Sequence, residues 1–235
     1  MNTGKRYRDR YEAGQILATH LHNRLPPGEL LVLGLPRGGV PVALEVARAL
    51  GAPLGVCVVR KLGVPGQPEL AMGAIAAGGY EVLDESLIAR IGLTPFQIAA
   101  VADRESTELA RREARYCSGH PPICLRDRFA VLVDDGLATG FTMRAAIEAA
   151  RGEGANGVVV AVPVGARDTC AEIRREVDVL VCPFSPDPFH AVGLWYRDFE
   201  ATTDDEVCAC LDAAAAEYPS SHIGAMPITR PTTAP

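Results

Sequence analysis

An α/β fold, with a parallel sheet of about five strands and helices on both faces, is predicted by three observations. Short apolar runs alternate with segments of helical period between residues 30 and 183. The turns that follow three of those runs, at residues 35–39, 60–63 and 134–142, concentrate glycines and charges, as expected where ligands meet the carboxyl edge of a parallel sheet. The composition, 48% hydrophobic and 22% charged over 235 residues, suffices for one full core.

Taken in order, residues 8–25 place Ala13, Ile16, Leu17 and Leu21 at helical spacing and predict an amphipathic helix ended by Pro26, Pro27 and Gly28. His20 and His22, two apart, diverge on such a helix and read as surface histidines. Residues 30–34 form a buried strand. Leu35, Pro36, Arg37, Gly38 and Gly39 then make a tight turn, and residues 40–50 a helix with Pro41 in its first turn and Gly51 past its end. Arg37 suits a pyrophosphate, because a guanidinium meets phosphate oxygens two at a time. An exposed arginine on a plain crossover turn fits the residues equally. Residues 54–59 predict the next strand, running into Arg60 and Lys61. Two prolines and two glycines over residues 64–73 predict a loop, with Glu69 either a solvated side chain or an acid/base group. Residues 73–83 alternate weakly and predict a strand pair flanking the core.

Thr94, Pro95 and Gln97 spell a capping box that opens a long charged helix to about Cys117, with ion pairs such as Glu108–Arg112 on its solvated face. Residues 157–163 and 177–182 are two further buried strands, separated by a short helix capped by Thr169. Residues 184–200 hold five of the thirteen aromatic side chains. This cluster either closes one sheet edge or roofs a ligand. Thr203 and Glu206 cap a last helix to about Glu217, and residues 218–235 are expected to be disordered.

The densest chemistry lies in the middle. Residues 129–133 are a five-residue apolar run; Asp134 and Asp135 follow, then Gly136, Leu137, Ala138, Thr139, Gly140, Phe141 and Thr142, then a helix from Arg144. Unpaired N–H groups and the positive end of a helix dipole converge at such a turn and favour an anion. Gly136 and Gly140 let the backbone curl round a phosphate, and Thr139 and Thr142 add hydroxyl donors. Two carboxylates beside a phosphate suit sugar hydroxyls or a metal ion.

This stretch resembles the phosphoribosyl-pyrophosphate motif of the type I phosphoribosyltransferases. The resemblance implies a Rossmann-like parallel sheet as a single domain over residues 1–217, with a core at about 28–183 and a hood from about 1–25 and 184–217. It implies phosphoribosyl pyrophosphate as donor, Mg²⁺ as cofactor, and an unknown small nitrogenous acceptor. Residues 136–142 would hold the 5-phosphate. Asp134 and Asp135 would hold the ribose hydroxyls, directly or through the metal. Arg37, Gly38 and Lys61 would hold the leaving pyrophosphate. The family places a cis peptide in its pyrophosphate loop, so one is expected within residues 35–38. It also places a mobile catalytic loop at residues 64–72, where Glu69 is the only carboxylate. Phe189, Trp195 and Tyr196 are the acceptor-hood candidates. Ala138 stands where the 6-oxopurine members carry a base-handling Asp, which argues against hypoxanthine or guanine. A non-catalytic, phosphoribosyl-pyrophosphate-binding regulator is the alternative, and hydrolysis of the donor a third option. The family is often dimeric, so a homodimer is expected on that ground.

Composition excludes other classes. A net charge of −6 argues against a generic nucleic-acid surface. No apolar run reaches membrane length, and the N-terminus has no apolar core of a signal peptide. Seven cysteines without a Cys-x-x-Cys pair fit reduced thiols in the cytoplasm better than a zinc site.

Overall fold

The computed structural model describes residues 6–120 and 124–218; the expected C-terminal tail lies outside them, apart from Tyr218. Helix α1 (Arg10–Leu21) leads into β1 (Glu29–Gly34), α2 (Gly39–Leu50) and β2 (Leu54–Val56). An antiparallel excursion follows: β3 (Val59–Val64), β4 (Gln67–Ala76), a 3₁₀ turn at Ala77–Gly79, and β5 (Tyr80–Leu83). Helices α3 (Glu85–Ile91) and α4 (Pro95–Tyr116) return the chain to β6 (Arg128–Val133). Then come α5 (Phe141–Gly152), β7 (Gly157–Ala161), α6 (Arg167–Glu176), β8 (Val179–Val181) and, after a 3₁₀ turn at Val192–Trp195, α7 (Asp204–Glu217).

The main sheet has the order β2-β1-β6-β7-β8, every pairing parallel, which is the five-strand core expected from the apolar runs. Its strands are buried on both faces. Leu31, Leu33, Leu132 and Val160 pack with α5 side chains such as Met143 and Ile147 in one cluster. Val32, Val131, Val133 and Val159 pack with Leu17 of α1 and Val42 and Val46 of α2 in another. Alternate residues of one strand thus enter opposite layers, which explains why these runs are uninterrupted rather than alternating. No described helix is long and apolar enough to cross a membrane.

Three expectations need correction. The apolar run at residues 54–59 is not one strand: β2 ends at Val56, and Val59 opens β3 in a second, three-stranded sheet of order β3-β4-β5. Arg60 and Lys61 therefore lie inside β3, not at the edge of the main sheet. Residues 64–72 are not a loop. Val64 pairs with Gln67 across Pro65 and Gly66, with Gly66 at φ 80°, and β4 continues through Met72, which is fully buried. Proline followed by a positive-φ glycine fits a tight turn between antiparallel strands. Finally, Thr169 does not cap α6, whose N-cap is Ala166; its hydroxyl donates instead to the Ala138 carbonyl at 2.7 Å.

The capping boxes at Thr94–Gln97 and Thr203–Glu206 are both present, and Arg112 pairs with Glu108 at 2.8 Å. The segments assigned to a hood divide. Residues around 184–199 gather with Tyr7, Ala13 and Val164 into a small cluster of their own, whereas α7 packs its Val207, Cys210 and Leu211 with Val40 and Leu44 of α2.

Candidate functional site

Two strand–turn–helix units sit side by side, because β1 and β6 are hydrogen-bonded neighbours whose ends align at Gly34 and Val133. The turn after β1 and the turn after β6 therefore meet at the carboxyl edge. The contact is tight. A Cβ on Gly39 would lie 2.6 Å from the Val133 carbonyl and 3.0 Å from Asp134 Oδ1, and one on Gly38 would lie 2.8 Å from Asp135 Cγ. Glycine at both positions is what lets the first turn lie against the acid pair. The peptide between Pro36 and Arg37 is cis, within the span expected.

Both helices that leave these turns start without a cap. The N-cap residues of α2 and α5 are Gly38 and Gly140, neither with a side-chain cap, and neither helix has an acid in its first turn. Of the other helices, α1, α3, α4 and α7 are capped by Asp9, Asp84, Thr94 and Thr203, while α6 starts at Ala166 without a side-chain cap but with Asp168 in its first turn. At α2 the Gly39 N–H donates to the Leu35 carbonyl at 3.0 Å, the Val40 N–H to the Arg37 carbonyl at 3.2 Å, and Pro41 has none, whereas the Phe141, Thr142 and Met143 N–H groups of α5 have no partner among the described residues. Gly140, at φ 81°, turns the chain into α5, so Phe141 and Thr142 belong to the helix's first turn. The loop is braced from behind: Leu137 N–H donates to the Val164 carbonyl at 2.9 Å, Ala166 N–H to the Leu137 carbonyl at 2.8 Å, and Thr169 holds Ala138 as described. Ala138 and Thr139 form the exposed side, and Gly136 is crossed by Val192, whose Cγ1 would be 2.5 Å from any added Cβ.

Asp134 and Asp135 share this corner but not the same surroundings. Asp134 Oδ1 accepts the Asp135 N–H at 2.8 Å; burial first, then the Asp135 charge, raise its carboxyl well above the usual carboxylate range. Burial raises Asp135 too, while the Arg10 guanidinium pulls it back towards ionisation. Arg10 Nε donates to Asp135 Oδ2 at 2.9 Å, its Nη1 donates to the Glu200 carbonyl at 2.7 Å, and its guanidinium lies 4.0 Å from the centroid of the Phe199 ring. Tyr196 completes the clamp, donating its hydroxyl to the Asp135 carbonyl at 2.6 Å.

The other expected residues are placed differently. Tyr196 is 3% exposed and serves as a brace for Asp135, so its ring is not free to receive a base. Trp195 packs edge-on to Phe184 at 4.8 Å and keeps its indole N–H buried without a partner among the described residues; Phe189 is half-buried in the same cluster. Arg37 turns to Asp204, 3.9 Å away at the start of α7, where Arg111 and Tyr116 also meet that carboxylate. Lys61 and Glu69 pair with each other at 3.2 Å on the hairpin, and neither makes a hydrogen bond or ion pair to the acid pair. Arg10 was missed by the sequence reading. It is 125 positions from its partner, and no local pattern marks it.

The carboxylates can serve Mg²⁺ only in part. No cluster of three or more acid, His or Cys side chains suited to a metal exists among the described residues. Two adjacent oxygen ligands do fit Mg²⁺, which keeps several waters and takes substrate phosphates rather than an all-protein cage.

Residues 8–193 match the family described as the phosphoribosyl transferase domain. A Mycobacterium tuberculosis H37Rv protein named "Putative phosphoribosyl transferase Rv0571c" is 49% identical over 214 residues, covering 91% of this chain and 48% of its own length. The corresponding protein MT0597 of strain CDC 1551 matches to the same extent. The chain thus spans about half the length of the curated relatives it matches. The crystal structure of TT1426 from Thermus thermophilus is similar at 42% identity and a TM-score of 0.73, covering 88% of this chain and 97% of that one. The motif, the fold and these matches agree: the chain belongs to the phosphoribosyl transferase domain family.

Proposed function

We propose that the protein is a phosphoribosyltransferase that moves ribose 5-phosphate from phosphoribosyl pyrophosphate to a nitrogenous acceptor, with release of pyrophosphate. The observation that carries this reading is the meeting of the unpartnered start of α5, a half-buried acid pair and the glycine turn before α2 at one edge of the sheet. The start of α5 suits the 5-phosphate through its backbone N–H groups, and the turn before α2 suits the pyrophosphate through the Arg37 guanidinium. The acids lie where the sugar that links the two groups would pass, and accept its hydroxyls.

Displacement at ribose C1 passes through a state with positive charge on the ring, and a carboxylate beside that charge lowers the barrier. Asp135, whose charged form Arg10 favours against the burial that raises its carboxyl, is the group for this; Asp134 holds the sugar hydroxyls. Mg²⁺, bound by the acids and the donor's oxygens, would neutralise the leaving pyrophosphate. Arg37 would join that role by exchanging Asp204 for phosphate, and Lys61 by leaving Glu69. Phe189 and Trp195 remain the side chains to border the acceptor. Ala138, with only a methyl group, offers no proton to a purine ring, so a 6-oxopurine is not the acceptor. All seven cysteines are free, which fits the cytoplasm.

A second reading, a regulator that binds the donor without turning it over, is favoured by one observation: Arg10 already occupies Asp135. Pyrophosphate release, measured with a panel of bases and with none, separates transfer, hydrolysis and plain binding. Replacing Asp134 and Asp135 together by Asn is expected to abolish donor binding or turnover; unchanged donor titrations would remove the assignment.

A further inference from the structure

A cleft of about 530 Å³ opens between α4, α5, the β1–β2 side of the main sheet and the 3₁₀ turn at Ala77–Gly79. It shares no lining residue with the two turns or the acid pair. Its floor is apolar and deep, with Leu33 3% and Cys57 8% exposed. On the α4 side, Ala110 and Ala114 keep the wall thin. The rim carries Glu113 and Glu153.

These two carboxylates are unlike their neighbours. The other glutamates of α4 are satisfied: Glu105 by Arg60 and Arg104, Glu108 by Arg111 and Arg112. Neither Glu113, half-buried, nor Glu153, exposed at the rim, has a side-chain hydrogen bond or ion pair among the described residues. Among the described residues no Lys or Arg lines the cleft, and the histidine there, His120, directs Nε2 to Asp212 at 3.1 Å. The two acids feel each other: burial and then the Glu153 charge raise Glu113. Their field reaches the floor, since burial and then Glu113 and Glu153 push the Cys57 thiol up to about 12. An apolar hollow with an unbalanced negative rim is thus built into one flank of the molecule.

We propose that this cleft is a second ligand site, which takes a small amphipathic amine with its apolar body on the floor and its ammonium at Glu113 and Glu153. The volume lies within the range of pockets that hold small organic molecules, and a cation supplies the charge that the protein leaves out. A metal ion does not fit, because no cluster of three ligating side chains exists here among the described residues.

The test uses the full chain, with tryptamine as the amine and indole-3-propionate as its anionic counterpart of similar size. Calorimetric titration is expected to show saturable binding of tryptamine and at least tenfold weaker binding of indole-3-propionate. Tryptamine is also expected to slow alkylation of Cys117, which lines the cleft, by N-ethylmaleimide. Glu113→Gln with Glu153→Gln should weaken tryptamine at least tenfold and erase the preference. Ala114→Leu should abolish binding by filling the cleft while leaving the melting temperature unchanged or higher, which keeps the test independent of any loss of folding in the glutamine variant. The proposal is overturned if tryptamine neither binds nor protects Cys117 at millimolar concentration, if both probes bind equally, or if either variant binds tryptamine as the parent does.

Discussion

Adding one methyl group at Gly38 probes the meeting of the two turns directly. The Gly38 backbone is at φ −62° and ψ −29°, where alanine is at ease, so Gly38→Ala tests contact rather than backbone strain. The new Cβ would lie 2.8 Å from Asp135 Cγ and 3.0 Å from Arg10 Nε, and would overlap Asp135 Oδ2. Carbon atoms settle about 3.5–4.0 Å apart, so the carboxylate must retreat by roughly 1 Å. That retreat breaks the 2.9 Å pair with Arg10, whose two side chains are only 12% and 16% exposed. Breaking a buried pair destabilises by about 3–5 kcal/mol; this pair keeps some access to water, so about 2–4 kcal/mol is expected. At about 2–4 °C per kcal/mol for a chain of this size, the melting temperature should fall by about 4–16 °C. Urea unfolding of Gly38→Ala, Asp135→Ala and the double variant closes a cycle. Once the carboxylate is gone, the methyl has room, and its cost should drop below about 1 kcal/mol. Additivity within about 0.5 kcal/mol would show that the two residues do not compete for space, and the account of the site's assembly would be wrong.

Other perturbations bear on single contacts. Tyr196→Phe removes the 2.6 Å hydrogen bond to the Asp135 carbonyl and should destabilise by about 1 kcal/mol, read as a urea midpoint shift with unchanged slope. Thr139→Val should weaken the sugar-phosphate donor about tenfold or more, because a charged oxygen loses a partner worth about 1.5–3 kcal/mol; equal affinity by titration would place the phosphate elsewhere. Glu113→Gln carries a pH signature. Burial and Glu153 raise the Glu113 pKa in the folded chain, so the folded state holds this proton more tightly and loses stability as pH rises through the carboxylate range. The variant should therefore melt about 1–2 °C higher at pH 7, consistent with surface changes of about 0.5 kcal/mol. That advantage should vanish once acid protonates Glu113 in folded and unfolded chains alike. A constant advantage at all pH values would point to packing instead.

The sequence showed the main sheet and the central turn clearly because both are local patterns. The apolar runs of β1, β6 and β7 are continuous since both faces are covered, and Gly136, Thr139 and Gly140 stand within a few positions of the acids they serve. The break at Cys57 and Val58 left no trace: both residues are buried whether the chain stays in one sheet or changes to another, so hydrophobicity cannot mark the crossing. The β3–β4 hairpin was hidden by its own punctuation. Pro65, Gly66 and Pro68 read as a loop when counted, yet Pro65 and Gly66 occupy the turn itself, and Pro68 and Glu69 lie on an exposed stretch of β4. Arg10 shows the remaining limit. Its role depends on Phe199, Glu200 and Asp135, which only the folded chain brings to one place.

That clamp has a consequence for birth on the ribosome. Arg10 emerges early, Asp135 midway, and the Phe199–Glu200 anchor late, so a nascent chain can complete both helix starts well before the acid between them is secured. Synthesis at about 5–20 residues per second would leave an interval of several seconds in which Asp135 has its arginine within the same chain but not the carbonyl and ring that steady it. Chains stalled before residue 199 and chains released after residue 200 should therefore differ in how well they retain a sugar phosphate, although every backbone group expected to touch that phosphate has already been made.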